Sequence, residues 1–162
     1  MARGAVTLRH MSSTPIEILK RGIPVFWAVW FTFVVTTNTL DLLRTLGALP
    51  ETSRFASGNF ALIETTTHLS RGPSLLLFVG VILWEGTAAL LFWRCATRTK
   101  DPIAHLQREN LAFCVSLGLW AAFTLTDEIL LQYSLAEVHL RIFSAQLLSL
   151  LAIHLLPSRE SD

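Results

Sequence analysis

Charged side chains are scarce in this chain. Only 15% of its 162 residues are Asp, Glu, Lys or Arg, whereas 52% are apolar, and an average soluble domain carries about 25% charged residues. The formal net charge of +1 excludes the basic field expected of a nucleic-acid-binding protein. A soluble fold this apolar would lack polar surface, so the composition predicts a membrane protein with no nucleic-acid partner.

Catalytic and redox motifs are also missing from the sequence. Its two cysteines, Cys95 and Cys114, form no CxxC pair and are interpreted as apolar packing residues. Nucleophile-elbow, phosphate-loop and zincin patterns do not occur. The sequence therefore indicates no catalytic residue and no cofactor, which makes an enzyme the less favoured class.

The histidines do not form an obvious ligand set. His139 and His154 are 15 residues apart on one predicted helix, about 22 Å along its axis, so they cannot ligate one iron. His68 and His139 together with Asp41 or Glu137 remain a weaker metal hypothesis. Interfacial polar anchors are the favoured interpretation of these histidines.

Four long apolar runs dominate the chain, at about 23–43, 74–93, 110–131 and 138–156. Each run has the roughly 20 residues that a transmembrane helix needs, whereas strands are typically 3–10 residues long. The sequence thus predicts an all-α fold, a four-helix transmembrane bundle. Residues 1–22 form an N-terminal segment, 23–156 the membrane domain and 157–162 a tail, with Pro157 ending the last span.

Two further helices are predicted outside the spans. Residues 1–13 show no pattern, and Met11 is an alternative to Met1 as the start. Thr14-Pro15-Ile16-Glu17 then resembles a capping box, which predicts a short separate helix ending near Gly22. In the first loop Asn59 is a candidate cap for a helix over 60–69, too short to cross the bilayer.

Glu85 is the one ionisable residue in the second apolar run. A carboxylate at that depth costs several kcal/mol unless it is protonated, paired or hydrated. It is either a proton- or cation-binding group or a buried acid that hydrogen-bonds to Asn38, Thr87 or Gln146. Both interpretations stay open at this stage.

Further polar residues cluster near one end of the predicted bundle. Helix rise places them at similar depths near the outer face, with Gln146 two turns deeper and level with Glu85. We expect them to form a polar funnel with Glu85 at its narrow base and with Arg141 close to the acids of the third span. The candidate ligand or proton site consists of Glu85, Asn38, Gln146, Asp41, Asp127, Glu128, His139 and Arg141.

Aromatic and small residues suggest how the spans are arranged. Crowded aromatics in the first half of the first span are typical of an interfacial belt: Phe26, Trp27, Trp30 and Phe31. Small residues at spacing four predict a tight hairpin of the third and fourth spans: Cys114, Gly118 and Ala122, with Ala145 and Ser149.

Four short motifs resemble an uncharacterised family of bacterial predicted small integral membrane proteins, a domain of unknown function. They are Asn38-x-x-Asp41, Asn59-Phe60-Ala61-Leu62, Trp84-Glu85-Gly86-Thr87-Ala88 and Arg141-Ile142-Phe143. The resemblance covers about residues 22–156 and differs in 64–71. It implies a four-helix protein of the bacterial inner membrane and supplies no catalytic residues.

Basic residues predict the orientation. Counting along the four spans puts nine Lys and Arg on the side of the termini and four on the other, of 13 in all. The positive-inside rule therefore places both termini in the cytoplasm.

Three functions follow as hypotheses. The leading one is an accessory or interaction subunit, packed in the bilayer beside other membrane subunits or self-associated. The second is a small oligomeric transporter or ligand-binding bundle that uses Glu85. The third is a membrane enzyme acting on a quinone or lipid, with Asp127, Glu128 and His139 as acid–base groups.

Overall fold

The computed structural model describes residues 14–97 and 101–156, and these residues form five helices and no strand. The all-α prediction is confirmed, and the short helix lies between the first and second long helices. Predictions for residues 1–13, including the start at Met11, and for Pro157 and the tail lie outside the described residues. The helices are α1 Thr14–Thr45, α2 Asn59–Thr67, α3 Arg71–Ala96, α4 Pro102–Ile129 and α5 Tyr133–Leu155.

Four of these helices are long and apolar enough to cross a membrane: Pro15–Thr45, Arg71–Ala96, Pro102–Ile129 and Tyr133–Leu155. Their outer surface is unlike that of a soluble protein. Leu76 and Leu90 expose 76% and 68% of their surface, whereas Glu85 and Asn38 expose 2% and 1%. Many large apolar side chains thus face outward while several polar groups are buried, as expected of a multi-pass membrane protein.

The separate N-terminal helix is wrong, because α1 is continuous from Thr14 to Thr45. Pro24 lies inside it, and a proline removes one backbone hydrogen bond and strains the preceding turn. The long apolar segment that follows sustains the helix through this defect, since each added residue contributes a further hydrogen bond.

The predicted polar loop after the second span is also shorter than expected. Asp101 caps α4, accepting a hydrogen bond from the Ile103 N–H at 2.9 Å, and Pro102 occupies the first turn. This pair is a helix start signal, so α4 begins well before the apolar run. Likewise α5 begins at Tyr133, within the predicted turn.

The four long helices pack in chain order, α1 on α3, α3 on α4 and α4 on α5, while α2 covers α3 and α1. We call the end with α2 and the turn at 130–132 the α2 end, and the end where α1 begins and α5 ends the terminal end. Packing of α4 on α5 confirms the predicted hairpin. At Gly118, however, a Cβ atom added to the glycine would lie 3.5 Å from the Trp84 ring of α3. This small residue therefore packs against α3, and not against α5 as predicted.

Aromatic rings fill the centre of the bundle. Phe92 stacks on Phe31 at a centroid distance of 5.9 Å and meets Phe113 edge-on at 5.0 Å. Phe31 is fully buried and Trp27 is 5% exposed, so the interfacial-belt interpretation is wrong for these two residues. They face the other helices, while Phe26 and Trp30 on the same helix point outward.

Candidate functional site

A cavity of about 150 Å³ lies inside the α2 end of the bundle. Residues from all five helices line it, and most of its wall is apolar, including Phe78 and Phe123. The polar residues on its wall come from different helices: Asn38, Asn59, Thr66, Thr67, Glu85, Thr126, Asp127 and His139. A mostly apolar cavity with a few convergent polar groups is the usual form of a small-molecule site.

Glu85 is held by Asn38 of α1. The Asn38 side-chain amide donates to both Glu85 carboxyl oxygens, at 3.0 and 2.8 Å, and both residues are buried. Thr87 instead donates to the Leu83 carbonyl of its own helix. Of the three partners considered from sequence, Asn38 is therefore the one that binds Glu85.

Asn38 is itself oriented by α2. The Asn59 amide donates to the Asn38 side-chain oxygen at 2.8 Å, so a chain of hydrogen bonds runs from Asn59 through Asn38 to Glu85. Asn59 does not cap α2, because Gly58 occupies the N-cap position with φ 81°. The sequence pointed to Asn59 as a cap and as the first residue of a motif, but not as a residue of the site, and its side chain lines the cavity.

Asp127 and His139 form the second polar feature of the cavity wall. The His139 Nδ1 lies 2.5 Å from an Asp127 carboxyl oxygen, joining α4 to α5. The imidazole also packs on two aromatic rings of α4, Trp120 at 5.7 Å and Phe123 at 5.0 Å between centroids. These contacts fix the ring, and the pair presents one acid and one base to the cavity.

Asp41 lies away from the cavity wall and is fully buried. It pairs with Arg44 one turn along α1, and its other oxygen accepts from the Ser57 hydroxyl at 3.3 Å and the Phe60 N–H at 2.9 Å. The carboxylate thus binds backbone at the start of α2, where a negative charge is favourable. Asp41 anchors α2 and does not form part of an open mouth.

The remaining predicted site residues do not join the cavity. Arg141 pairs with Glu137 on its own helix and not with Asp127 or Glu128. Both Arg141 and Glu128 are exposed. Gln146 is fully buried, but neither atom of its amide has a hydrogen-bond partner, so it does not bind Glu85. The sequence prediction for these three residues rested on their depth along each helix. Depth does not fix the direction in which a side chain points around the helix axis.

The charges on the cavity wall are unbalanced. It carries two carboxyl groups, Glu85 and Asp127, against the single imidazole of His139, and none of its lining residues within 14–97 and 101–156 is Lys or Arg. Asn38 satisfies part of the Glu85 carboxyl group, which can accept about four hydrogen bonds when ionised. The wall is therefore suited to a hydrogen-bond donor or a cation.

A metal centre finds no support in the part of the chain that is described. There, no three His, Cys, Asp or Glu side chains come close enough to share an ion. His139 is committed to Asp127, whereas Asp41 is surrounded by the donors of α2 and Arg44.

No family model, curated protein or solved structure matches the chain. The class that the fold and its composition define is a multi-pass, all-helical membrane protein. Any narrower assignment depends on the chemistry of the cavity.

Proposed function

We propose that this protein binds a small molecule with a cationic or strongly hydrogen-bond-donating group on an apolar body, in the cavity at the α2 end. The observation that carries the proposal is the position of Glu85. Its carboxyl group lines a cavity inside an apolar bundle, and the contact that holds it comes from a neutral amide. An intramembrane carboxyl group indicates function by default because it is costly to bury.

The rest of the wall defines the ligand. Apolar residues from α2, α3 and α4 would contact the body of the molecule, while Glu85 and the Asp127–His139 pair would accept hydrogen bonds from its amine. A volume of about 150 Å³ is enough for a molecule built on one benzene ring. Benzylamine is a suitable probe, and benzyl alcohol is its neutral counterpart of nearly equal size.

The experiment compares the two probes on purified protein in detergent by saturation-transfer NMR titration. The wild type is expected to bind benzylamine at least tenfold more tightly than benzyl alcohol. Glu85→Gln should abolish that preference, because the amide keeps the shape of the side chain and removes its charge. Glu128→Gln is the matched control, since Glu128 is exposed outside the cavity, and it should keep the preference.

Equal affinity for the two probes in the wild type would contradict a cation site. An unchanged preference in Glu85→Gln would place the selectivity elsewhere. Failure of the folded wild type to bind either probe would show that the cavity takes no ligand of this class.

A second candidate function is an accessory subunit of a larger membrane complex, and one observation favours it. Asn59, Asn38 and Glu85 join α2, α1 and α3 through consecutive hydrogen bonds, which is what polar residues do when they hold membrane helices together. In that case Glu85 stabilises the bundle, and the function depends on its outer surface.

Purification of the tagged protein in mild detergent tests this second candidate. A co-purifying membrane protein at constant stoichiometry would support it, and loss of that partner after mutation of the outward-facing Phe33 would locate the contact. A clean monomer that binds benzylamine would count against the accessory role. We also propose that the protein lies in the bacterial inner membrane, as the resemblance noted above implies, with both termini in the cytoplasm, as the distribution of basic residues predicts.

A further inference from the structure

The indole groups of four of the five tryptophans separate into two kinds, while the fifth, Trp30, is exposed on the surface of α1. Three of them donate to an acceptor on another helix and join the bundle: Trp27 to the Ser149 hydroxyl at 3.1 Å, Trp84 to the Val115 carbonyl at 2.9 Å and Trp93 to the Thr32 hydroxyl at 3.0 Å. Trp120 differs. It is 5% exposed, and its indole N–H has no acceptor among the described residues.

Gln146 on α5 has the same property. The residue is fully buried, and both the oxygen and the nitrogen of its amide lack a partner in the described part of the chain. A buried amide without hydrogen bonds costs about 1–3 kcal/mol in proteins. One such group is uncommon in a folded protein, and Trp120 and Gln146 together present three unpaired polar atoms.

The register of the α4–α5 hairpin brings these groups to the same place. Asp127 contacts His139 at the α2 end, and Asn110 contacts His154 near the terminal end at 2.8 Å. Trp120 lies seven residues before Asp127, and Gln146 lies seven residues after His139. Seven residues are nearly two helical turns, so both side chains continue the faces that already meet.

We propose that Trp120 and Gln146 form a buried site for a single water molecule between α4 and α5. The unpaired atoms comprise two kinds of donor, the indole N–H and the amide NH₂, and one acceptor, the amide oxygen. Water accepts from both donors and donates to the oxygen. Buried waters in proteins typically make about three hydrogen bonds to groups that are otherwise unsatisfied.

The site lies directly behind the cavity wall. The Trp120 ring packs on the His139 imidazole, and that imidazole lines the cavity. The water would therefore extend the polar interior from the α2 end to the middle of the bundle. This inference does not depend on the ligand proposed above, because the unpaired atoms of Trp120 and Gln146 are not on the cavity wall.

Water-selective NMR on the full-length protein, labelled with ¹⁵N-tryptophan in detergent micelles, tests the site. The indole proton of Trp120, assigned with Trp120→Phe, should show a negative-sign cross-peak to a long-lived water. Trp27, Trp84 and Trp93 are internal references, because their N–H groups bind protein acceptors, and they should show none above background. Absence of the Trp120 cross-peak, with the indole proton protected from exchange, would overturn the proposal.

Gln146→Met provides the second measurement, since methionine keeps the length of the side chain and removes both polar groups. The Trp120 cross-peak should fall at least fivefold while the Trp27 resonance is unchanged. Gln132→Met, at the α4–α5 turn, is the control and should leave the peak intact. A peak that persists in Gln146→Met would overturn the role of Gln146. Should Gln146→Met not fold, the wild-type comparison of Trp120 with Trp27, Trp84 and Trp93 still decides the proposal.

Discussion

At the scale of single residues, Asn38 is the centre of the polar interior. It donates to Glu85 of α3 and accepts from Asn59 of α2, so one amide uses its donor and its acceptor on different helices. Glutamine is one bond longer, and aspartate has no donor when ionised. Asparagine therefore fits a position 1% exposed where both functions are required.

Replacing Asn38 should destabilise the bundle more than a typical polar contact between membrane helices. Asn38→Leu leaves Glu85 and Asn59 unpaired, and each unsatisfied group costs about 1–3 kcal/mol, against an average of about 0.6 kcal/mol for one interhelical hydrogen bond. For the two groups together we expect a loss of at least about 2 kcal/mol. A thiol-reactive dye that labels Cys95, which is 4% exposed, would report the thermal midpoint in a Cys114→Ala background.

The control for that substitution is the next residue in the chain. Thr39 is exposed on the outer face of α1 and donates only within its own helix. Thr39→Leu makes a similar change of polarity and should leave the midpoint within a degree or so. Equal midpoints for Asn38→Leu and Thr39→Leu would refute the role given to Asn38.

Sequence reasoning identified Glu85 because it is the one ionisable group in its apolar run, and it named Asn38 among three possible hydrogen-bond partners. It failed for residues whose position depends on direction around the helix axis. Gln146 is buried but does not bind Glu85, and Arg141 reaches Glu137 one turn earlier. Asn59 lies next to a loop, where no periodicity fixes the side-chain direction.

At the scale of elements, α2 depends on the end of α1. Asp41 accepts from the backbone at Phe60, and Asn38 accepts from Asn59, so residues one turn apart on α1 hold the first turn of α2. The nine residues of α2 are too few for a stable isolated helix. The sequence motifs at 38–41 and 59–62 are therefore one structural unit, the docking of α2 on α1.

The turn between α4 and α5 contains a testable strain. The Leu131 N–H donates to the Glu128 carbonyl and the Gln132 N–H to that of Asp127, a pattern that places Leu131 at the left-handed position with φ 57°. Glycine is preferred there. A left-handed backbone conformation costs residues other than glycine about 1–2 kcal/mol. A glycine at this position raises the conformational entropy of the unfolded chain, which offsets about 0.4–1 kcal/mol of the gain.

Leu131→Gly should accordingly stabilise the protein by about 0.5–1 kcal/mol, because Leu131 is 67% exposed and gives up little packing. Leu130→Gly is the matched control. Leu130 has φ −86° and lines the cavity, so this substitution should lower the thermal midpoint. The prediction would be wrong if both substitutions lowered the midpoint by the same amount.

At the scale of the whole molecule, hydropathy predicted the architecture well, because a bilayer fixes both helix length and backbone pairing. It predicted the helix ends less well. Pro102 begins α4 in a segment interpreted as a loop, and α1 starts at Thr14, ahead of the apolar run that begins near Ile23. Helices extend beyond the bilayer wherever capping and packing permit. Hydropathy does not detect these additional helical turns, because their residues are polar.

Orientation in the membrane is the last property that the charges predict. Nine basic residues on the side of the termini against four on the other place the 46–58 loop outside the cytoplasm and the α3–α4 loop inside. In a Cys114→Ala background, Thr52→Cys should react with a membrane-impermeant maleimide in spheroplasts. Thr97→Cys should react only after lysis. Both positions are exposed and uncharged, so neither substitution alters the charge balance under test.

Labelling of Thr97→Cys in intact spheroplasts, with protection of Thr52→Cys, would show that the orientation is the reverse of the predicted one. The cavity at the α2 end would then open toward the cytoplasm, and its ligand would have to be a cytoplasmic molecule.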